Sequence, residues 1–82
     1  MPSNKAEIFL KLLTEEIKNE RSALGLSQDH LAVKSGVDRG IISRMERLER
    51  TPSILGFFDL AQALDVPLSV LVERAEARLP EK

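Results

Sequence analysis

The sequence predicts an all-α fold, a single domain over residues 1–82 built as a bundle of five helices with a long first helix. Two observations favour this fold class. Apolar residues recur at spacings of three and four along most of the chain, which is typical of helices that bury one face. No segment alternates apolar and polar residues between turn signals, so we expect no strands.

The first helix begins near Asn4 and is predicted to run for about 20 residues, long for so small a domain. Gly25 follows its last apolar position, and glycine readily adopts the positive φ that commonly ends a helix. The apolar residues of this segment fall on one helical stripe: Ile8, Phe9, Leu12, Leu13, Ile17 and Leu24.

The segment 27–48 predicts two short helices joined by a tight turn. Ser27 is a favourable N-cap for a helix over residues 28–35, because its hydroxyl can accept a hydrogen bond from a free amide of the first turn. Gly36 lies where a tight connection between helices needs a positive φ. Together these positions predict a helix-turn-helix unit.

The third helix, residues 39–47, follows Asp38 as its N-cap. Its inward positions are Ile42 and Met45, three residues apart, with Ile41 partly buried. The residues on the opposite side are predicted to face outward: Arg39, Gly40, Ser43, Arg44 and Arg47.

Two further helices complete the predicted bundle. Ser53 is the N-cap of a fourth helix over residues 54–64, and Pro67 suits the start of a fifth over residues 68–79. The fourth helix is expected to contribute five residues to the core: Ile54, Phe57, Leu60, Ala61 and Leu64.

The composition argues against several classes of protein. There is no cysteine, a single histidine, no glycine-rich phosphate loop and no evident carboxylate pair, so we expect no enzyme activity, metal or cofactor. No apolar run approaches the roughly 20 residues that span a bilayer, and no signal-peptide pattern opens the chain. These features predict a cytoplasmic protein with no membrane partner.

Charge is unevenly distributed along the chain. The net charge is −1, but the segment 34–50 carries five basic and three acidic residues. A locally positive segment can still bind phosphate groups, since salt screens distant acids beyond about 8 Å. The distribution is compatible with nucleic acid as a partner without requiring it.

At about residues 13–72 the chain resembles the Cro/phage-repressor-like helix-turn-helix family, the XRE group. The resemblance implies the lambda-repressor-like DNA-binding fold, a homodimer bound to a two-fold operator in double-stranded DNA, and a role in transcription control. The run from Asp38 to Ser43 is especially similar to restriction-modification controller proteins, while phage repressors and antitoxins of this size share the same unit. The shared positions are Gly25-Leu26-Ser27-Gln28, Leu31-Ala32, Gly36-Val37, Ile42-Ser43, Glu46, Pro52-Ser53, Leu60-Ala61 and Ala63-Leu64.

The third helix is the expected recognition helix. A major groove about 12 Å wide admits one α-helix, and an arginine can bind the O6 and N7 atoms of guanine with both arms of its guanidinium group. We expect Arg39, and then Arg44, to read bases, with Ser43 on a base or a phosphate.

Other polar residues are expected to contact phosphates or to support the recognition helix. Arg47 and Arg50 are predicted phosphate contacts, which set the register on DNA without reading sequence. From the resemblance, Gln28 is expected to contact a phosphate and to brace the recognition helix, and Arg21 is expected to form a structural ion pair with Glu46.

Leu48 occupies the position where the family usually has glycine or asparagine. A leucine with positive φ is strained, so either the third helix continues past this point or the chain turns differently. The geometry of the following loop, and with it Arg50, depends on which of the two occurs.

Surplus apolar residues on the last two helices predict an interface. Leu55 and Phe58 lack an inward position on the fourth helix, as do Val72 and Leu79 on the fifth, and we expect all four in a homodimer contact. An alternative is that the chain is an antitoxin or anti-repressor, which would present Leu55, Phe58 and Val72 to a different partner protein.

Overall fold

The computed structural model describes residues 4–80 of the chain. Over this range it contains five α-helices and no strand, which confirms the predicted fold class. The helices are α1 (Asn4–Ala23), α2 (Gln28–Ser35), α3 (Arg39–Glu46), α4 (Ile54–Ala63) and α5 (Leu68–Ala77).

Three helices end in the same hydrogen-bonded motif, in which one residue takes a positive φ. That residue is Gly25 after α1, with φ 70°, Leu48 after α3, with φ 62°, and Asp65 after α4, with φ 59°. In each case two amides past the helix donate back to carbonyls of its last turn. This is the Schellman arrangement, which satisfies carbonyl groups that a helix end otherwise leaves free.

The end of α3 therefore resolves the two alternatives at Leu48. The helix does not continue; the leucine itself adopts the left-handed conformation. Its amide donates to the carbonyl of Met45 at 2.9 Å, and the amide of Glu49 donates to the carbonyl of Arg44 at 2.8 Å. Leu48 takes up the strain that a glycine would avoid, and the chain turns at this residue.

The core lies between two groups of packed helices. The long helix α1 packs along α5 and touches α3, while α2 packs against both α3 and α4. Burying these faces is the main source of stability, since apolar area removed from water contributes about 25 cal/mol per Å². The largest fully buried side chains are Ile17, Leu31, Ile42, Met45, Leu60, Leu64 and Leu71.

Two residues predicted to lie on buried helix faces are exposed. Leu24, which follows the last residue of α1, is 54% exposed. Ile54 keeps 67% of its surface accessible, while Phe57, Leu60 and Ala61 on the same helix are buried. The reason is its position as the first residue of α4. Helical side chains lean toward the N-terminus, so that of Ile54 extends past the turn that the other helices cover.

Between residues 4 and 80 no single helix is long and apolar enough to cross a membrane; only α4 and α5 together, a pair bent by 107°, reach that length and composition. Nor does this part of the chain contain a group of three or more histidine, aspartate or glutamate residues placed to hold a metal ion.

Candidate nucleic-acid interface

Local hydrogen bonds define the turn between α2 and α3. The Ser27 hydroxyl accepts from the backbone amide of His30 at 3.0 Å and caps α2. Gly36 takes a φ of 77° and ends that helix. One carboxylate oxygen of Asp38 then accepts from the amide of Gly40 at 2.7 Å and caps α3. These contacts fix where α2 ends and where α3 begins.

The two sides of α3 differ in burial. Ile42 and Met45 are fully buried and hold the helix to the core. Arg39, Arg44 and Arg47 are exposed on the remaining surface. The core therefore holds one side of a short helix while three cationic side chains remain open to solvent.

Glu46, the last residue of α3, joins three helices. Arg21 of α1 donates to both of its carboxylate oxygens, at 2.7 and 2.9 Å, and Gln28 of α2 donates to one of them at 3.0 Å. A third guanidinium nitrogen of Arg21 donates to the backbone carbonyl of Leu26 at 2.7 Å. The pair implied by the resemblance is thus present, and Gln28 contacts its carboxylate.

The pKa of Glu46 reflects this environment. Burial would raise the pKa of this carboxyl, but hydrogen bonds from Arg21 and Gln28 and the charge of Arg21 outweigh it and hold the pKa below its ordinary value. The side chains of Glu46 and Arg21 are only 4% and 15% exposed. The pair is therefore charged at neutral pH and largely shielded from water.

Arg39, the first residue of α3, lies against an acid of α2. Its Nε atom is 2.9 Å from Oδ1 of Asp29, and both side chains remain mostly exposed. Within the described part of the chain, the two terminal nitrogens of Arg39 have no hydrogen-bond partner. The two terminal nitrogens expected to read a base are therefore free, while the Nε side of the guanidinium group lies next to a carboxylate.

Arg47 and Ser43 are in contact with each other. One terminal nitrogen of Arg47 donates to the hydroxyl of Ser43. Its other two nitrogens donate to the carboxylate of Glu49, at 3.1 and 3.2 Å, and this contact lowers the pKa of Glu49. Two residues predicted to bind DNA independently thus form one cluster at the end of α3.

Arg44 and Arg50 are the two arginines of this surface that have no side-chain partner in the described chain. Both are exposed, and neither forms a hydrogen bond or ion pair with another side chain between residues 4 and 80. Arg50 borders a cleft of about 450 Å³ together with the turn before α3 and the first turn of α4. It lies in the loop between α3 and α4.

Comparison with known proteins identifies the family. The helix-turn-helix family model HTH_3 matches residues 17–71. The chain belongs to the helix-turn-helix family. That result confirms the resemblance predicted from the positions around the turn, and proteins of the restriction-modification controller group are among its relatives.

Three similar proteins illustrate the relationship. The control protein C.SmaI of Serratia marcescens is 34% identical over 64 residues, which cover 78% of this chain and 76% of that protein. A crystal structure of a mutant of the restriction-modification controller protein C.Esp1396I superimposes with a TM-score of 0.78 at 31% identity, covering 94% of this chain and 92% of that one. The HTH-type transcriptional regulator SutR of Escherichia coli K12 is 27% identical over 74 residues, 90% of this chain, but the match spans only 42% of SutR.

This helix-turn-helix protein also has an exposed apolar surface on α4. Leu55 and Phe58 are 73% and 47% exposed, and Ile54 beside them is 67% exposed. The other two predicted interface residues differ, since Val72 packs partly against the core and Leu79 is half-buried. The exposed apolar surface of α4 thus consists of Ile54, Leu55 and Phe58, while Val72 and Leu79 are less exposed.

A groove adjoins this surface. It has a volume of about 570 Å³, lies where α4 meets α5, and is lined on one side by Phe58. Its other walls include Val66, Pro67 and Leu68 from the connection between the two helices. An apolar side chain from another molecule could enter it beside Phe58.

Sequence reasoning missed two acids at this site. Asp29 and Glu49 each hold an arginine that was expected to contact DNA. Asp29 is ten positions before Arg39, and only the packing of α2 on α3 brings them together. Glu49 reaches Arg47 because the chain reverses at Leu48. No local sequence pattern predicts either contact.

Proposed function

We propose that this chain is a sequence-specific regulator of transcription that binds double-stranded DNA as a homodimer on a two-fold operator, with α3 in the major groove. The observation that carries the proposal is that Arg39 and Arg44 of α3, and Arg47 directly after it, are exposed while Ile42 and Met45 of the same helix are fully buried. Relatives named as transcriptional regulators and as restriction-modification controllers support it. The proposal includes no catalytic role, and it expects the chain to act in the cytoplasm.

Base reading is assigned to the first half of α3. Residues near the N-terminal end of a recognition helix reach base edges, and the free terminal nitrogens of Arg39 match the two acceptors of guanine. Arg44, without a partner in the described chain, is the second reader. Ser43 would contribute once Arg47 turns from its hydroxyl toward a phosphate.

Phosphate binding is assigned to residues that flank α3. The side-chain amide of Gln28 has two hydrogens; one is directed to Glu46, and the other remains available to a phosphate oxygen. Arg47 and Arg50 would add two cationic contacts. For Arg47 this requires exchanging the carboxylate of Glu49 for a phosphate, which costs little because both side chains of the pair are exposed.

Dimerisation is assigned to the α4 surface and the groove beside it. In a two-fold contact the same patch meets itself, so apolar residues such as Leu55 of one protomer would lie against the groove of its partner. A dimer of this kind would separate the two recognition helices by about 34 Å, the length of one turn of DNA. The exposed Ile54 extends the apolar area available to such a contact.

Selection of bound duplexes from a random-sequence pool tests this function most directly. The expected product is a palindromic site with half-site centres about 10 base pairs apart, bound more weakly as salt increases. Fluorescence anisotropy with the selected duplex and a scrambled one, each at two salt concentrations, then measures the preference. A pool that shows no enrichment after repeated selection would contradict the proposal.

The same apolar surface also supports the second candidate, an antitoxin or anti-repressor role. A different protein could bind equally well to the surface formed by Ile54, Leu55 and Phe58. One chain can act both on DNA and on such a partner. Purification from the native host with and without a Phe58→Asp substitution separates the cases. A stoichiometric second protein that is lost in the variant favours the alternative, whereas a dimer of this chain alone favours the leading proposal.

A further inference from the structure

We propose that Asp29 is a positioning residue for base recognition, which holds the guanidinium group of Arg39 in the orientation that reads a guanine. This inference rests on the proposed function and deepens it. It begins from one contact: Oδ1 of Asp29, in the first turn of α2, lies 2.9 Å from Nε of Arg39, the first residue of α3.

The contact between Asp29 and Arg39 contributes little to the stability of the fold. The side chain of Asp29 is 74% exposed and that of Arg39 is 63% exposed. Ion pairs in such a position contribute little to stability, because water screens the charges and two flexible side chains must be ordered. The bundle is held instead by its buried core and by the shielded pair between Arg21 and Glu46.

The geometry suits orientation of the arginine. The carboxylate oxygen of Asp29 lies beside the Nε edge of the planar guanidinium group, so its charge draws that edge toward α2 while both terminal nitrogens have no hydrogen-bond partner in the described chain. Those two nitrogens form the fork that matches O6 and N7 of guanine. The carboxylate of Asp29 on the neighbouring helix therefore lies on the Nε side of Arg39 and leaves its two terminal nitrogens accessible.

A second acid, next to Arg39 in the sequence, already accepts a backbone hydrogen bond. Asp38 directs Oδ1 to the backbone amide of Gly40 at 2.7 Å and acts as the cap of α3. Within residues 4–80, Asp29 is the acid that forms an ion pair with Arg39. The orientation of this arginine consequently depends on a residue of the other helix of the unit.

The proposal predicts two effects of opposite sign when Asp29 is removed. Losing the restraint means that the arginine must be ordered on binding, which reduces preference for the matching base by about three- to tenfold. Losing a negative charge near the phosphates raises affinity for any duplex, by about two- to fivefold at low salt. If Asp29 only repelled the phosphates, its removal would raise affinity for any duplex without reducing base preference.

The experiment compares variants on the duplex selected by the wild-type protein and on duplexes altered at each position of one half-site. Asp29→Ala is expected to relax preference at the same base step as Arg39→Ala, while Asp29→Glu, which returns a carboxylate, recovers most of it. In an Arg39→Ala background, adding Asp29→Ala should leave base preference unchanged. Thermal unfolding checks that each variant remains folded.

Glu49→Gln is the matched control, since Glu49 is also an exposed acid paired with an arginine expected to contact DNA. It should change overall affinity without changing base preference. Full preference in Asp29→Ala, or a further loss of preference when Arg39 is already absent, would overturn the inference. If the wild-type protein selects no site, the proposed function fails instead, so the two failures are distinguishable.

Discussion

Gln28 and Arg21 donate to the same oxygen of Glu46, at 3.0 and 2.9 Å, so a single carboxylate at the end of α3 connects α1 and α2. The proposed recognition helix is only eight residues long and depends on such contacts, because isolated helices of this length are not stable in water. The orientation of α3 is therefore determined by its buried face and by this one acid.

Replacing Glu46 by alanine should lower the free energy of unfolding by about 3 kcal/mol, because it leaves the shielded charge of Arg21 without its carboxylate. Urea denaturation measures the loss. Glu15→Gln is the control, since its pair with Arg78 is exposed and should contribute little. Equal midpoints for the two variants would show that the buried pair has no special role.

The lowered pKa of Glu46 predicts a specific dependence of stability on pH. Its pKa in the folded chain lies below the ordinary value of 4.5, so the stabilisation is complete well above that value and is lost as pH falls through the folded pKa. Unfolding midpoints of the wild type and of Glu46→Gln, measured from neutral pH to pH values below 4.5, should converge toward the acid end. A constant difference across the range would contradict the assignment.

Asp65 offers a test of backbone strain. It has a φ of 59° and lies at the C-terminal end of α4, where a negative charge is also unfavourable. Asp65→Gly should raise the free energy of unfolding by about 1 kcal/mol. Asp65→Ala, which removes the charge but keeps the strain, is the matched control. Leu48→Gly should raise the free energy of unfolding by less than Asp65→Gly, because about half of the leucine surface is covered and its contacts would be lost.

Arg39 and Arg47 should affect DNA binding in different ways. Arg39→Ala is expected to cost about 1–3 kcal/mol of discrimination at one base step, because a bidentate contact is removed. Arg47→Ala should weaken all sequences alike and reduce the salt slope by about one, as expected for a phosphate contact. Anisotropy titrations over a range of salt concentrations separate the two patterns. Identical behaviour of both variants would refute the division of roles.

Phe58→Asp should dissociate the proposed dimer while each protomer stays helical, because a charge would then face an apolar surface across the contact. Sedimentation velocity measures the oligomeric state and circular dichroism the helical content. Val33→Asp is the control; Val33 is 85% exposed on α2 and is not part of the proposed interface. An unchanged dimer in Phe58→Asp would exclude this interface.

Most of the fold was predictable from short-range patterns. Ser27, Asp38 and Ser53 cap α2, α3 and α4 as predicted, because a capping hydrogen bond joins residues two or three positions apart. The same holds for Gly25 and Gly36, whose positive φ is a local property. The outward direction of Arg39 and Arg44 followed from helical periodicity once Ile42 and Met45 were assigned to the core.

Other features depended on how the helices pack. The exposure of Ile54, the partial burial of Val72 and the meeting of Asp29 with Arg39 could not be predicted, since each depends on where a second helix lies. Leu48 shows the limit most clearly: its sequence position signalled strain but left open whether the helix would continue. Leu48 takes a φ of 62° while its amide and that of Glu49 donate to carbonyls of the last turn of α3, and only the folded structure shows that this turn forms in place of a longer helix.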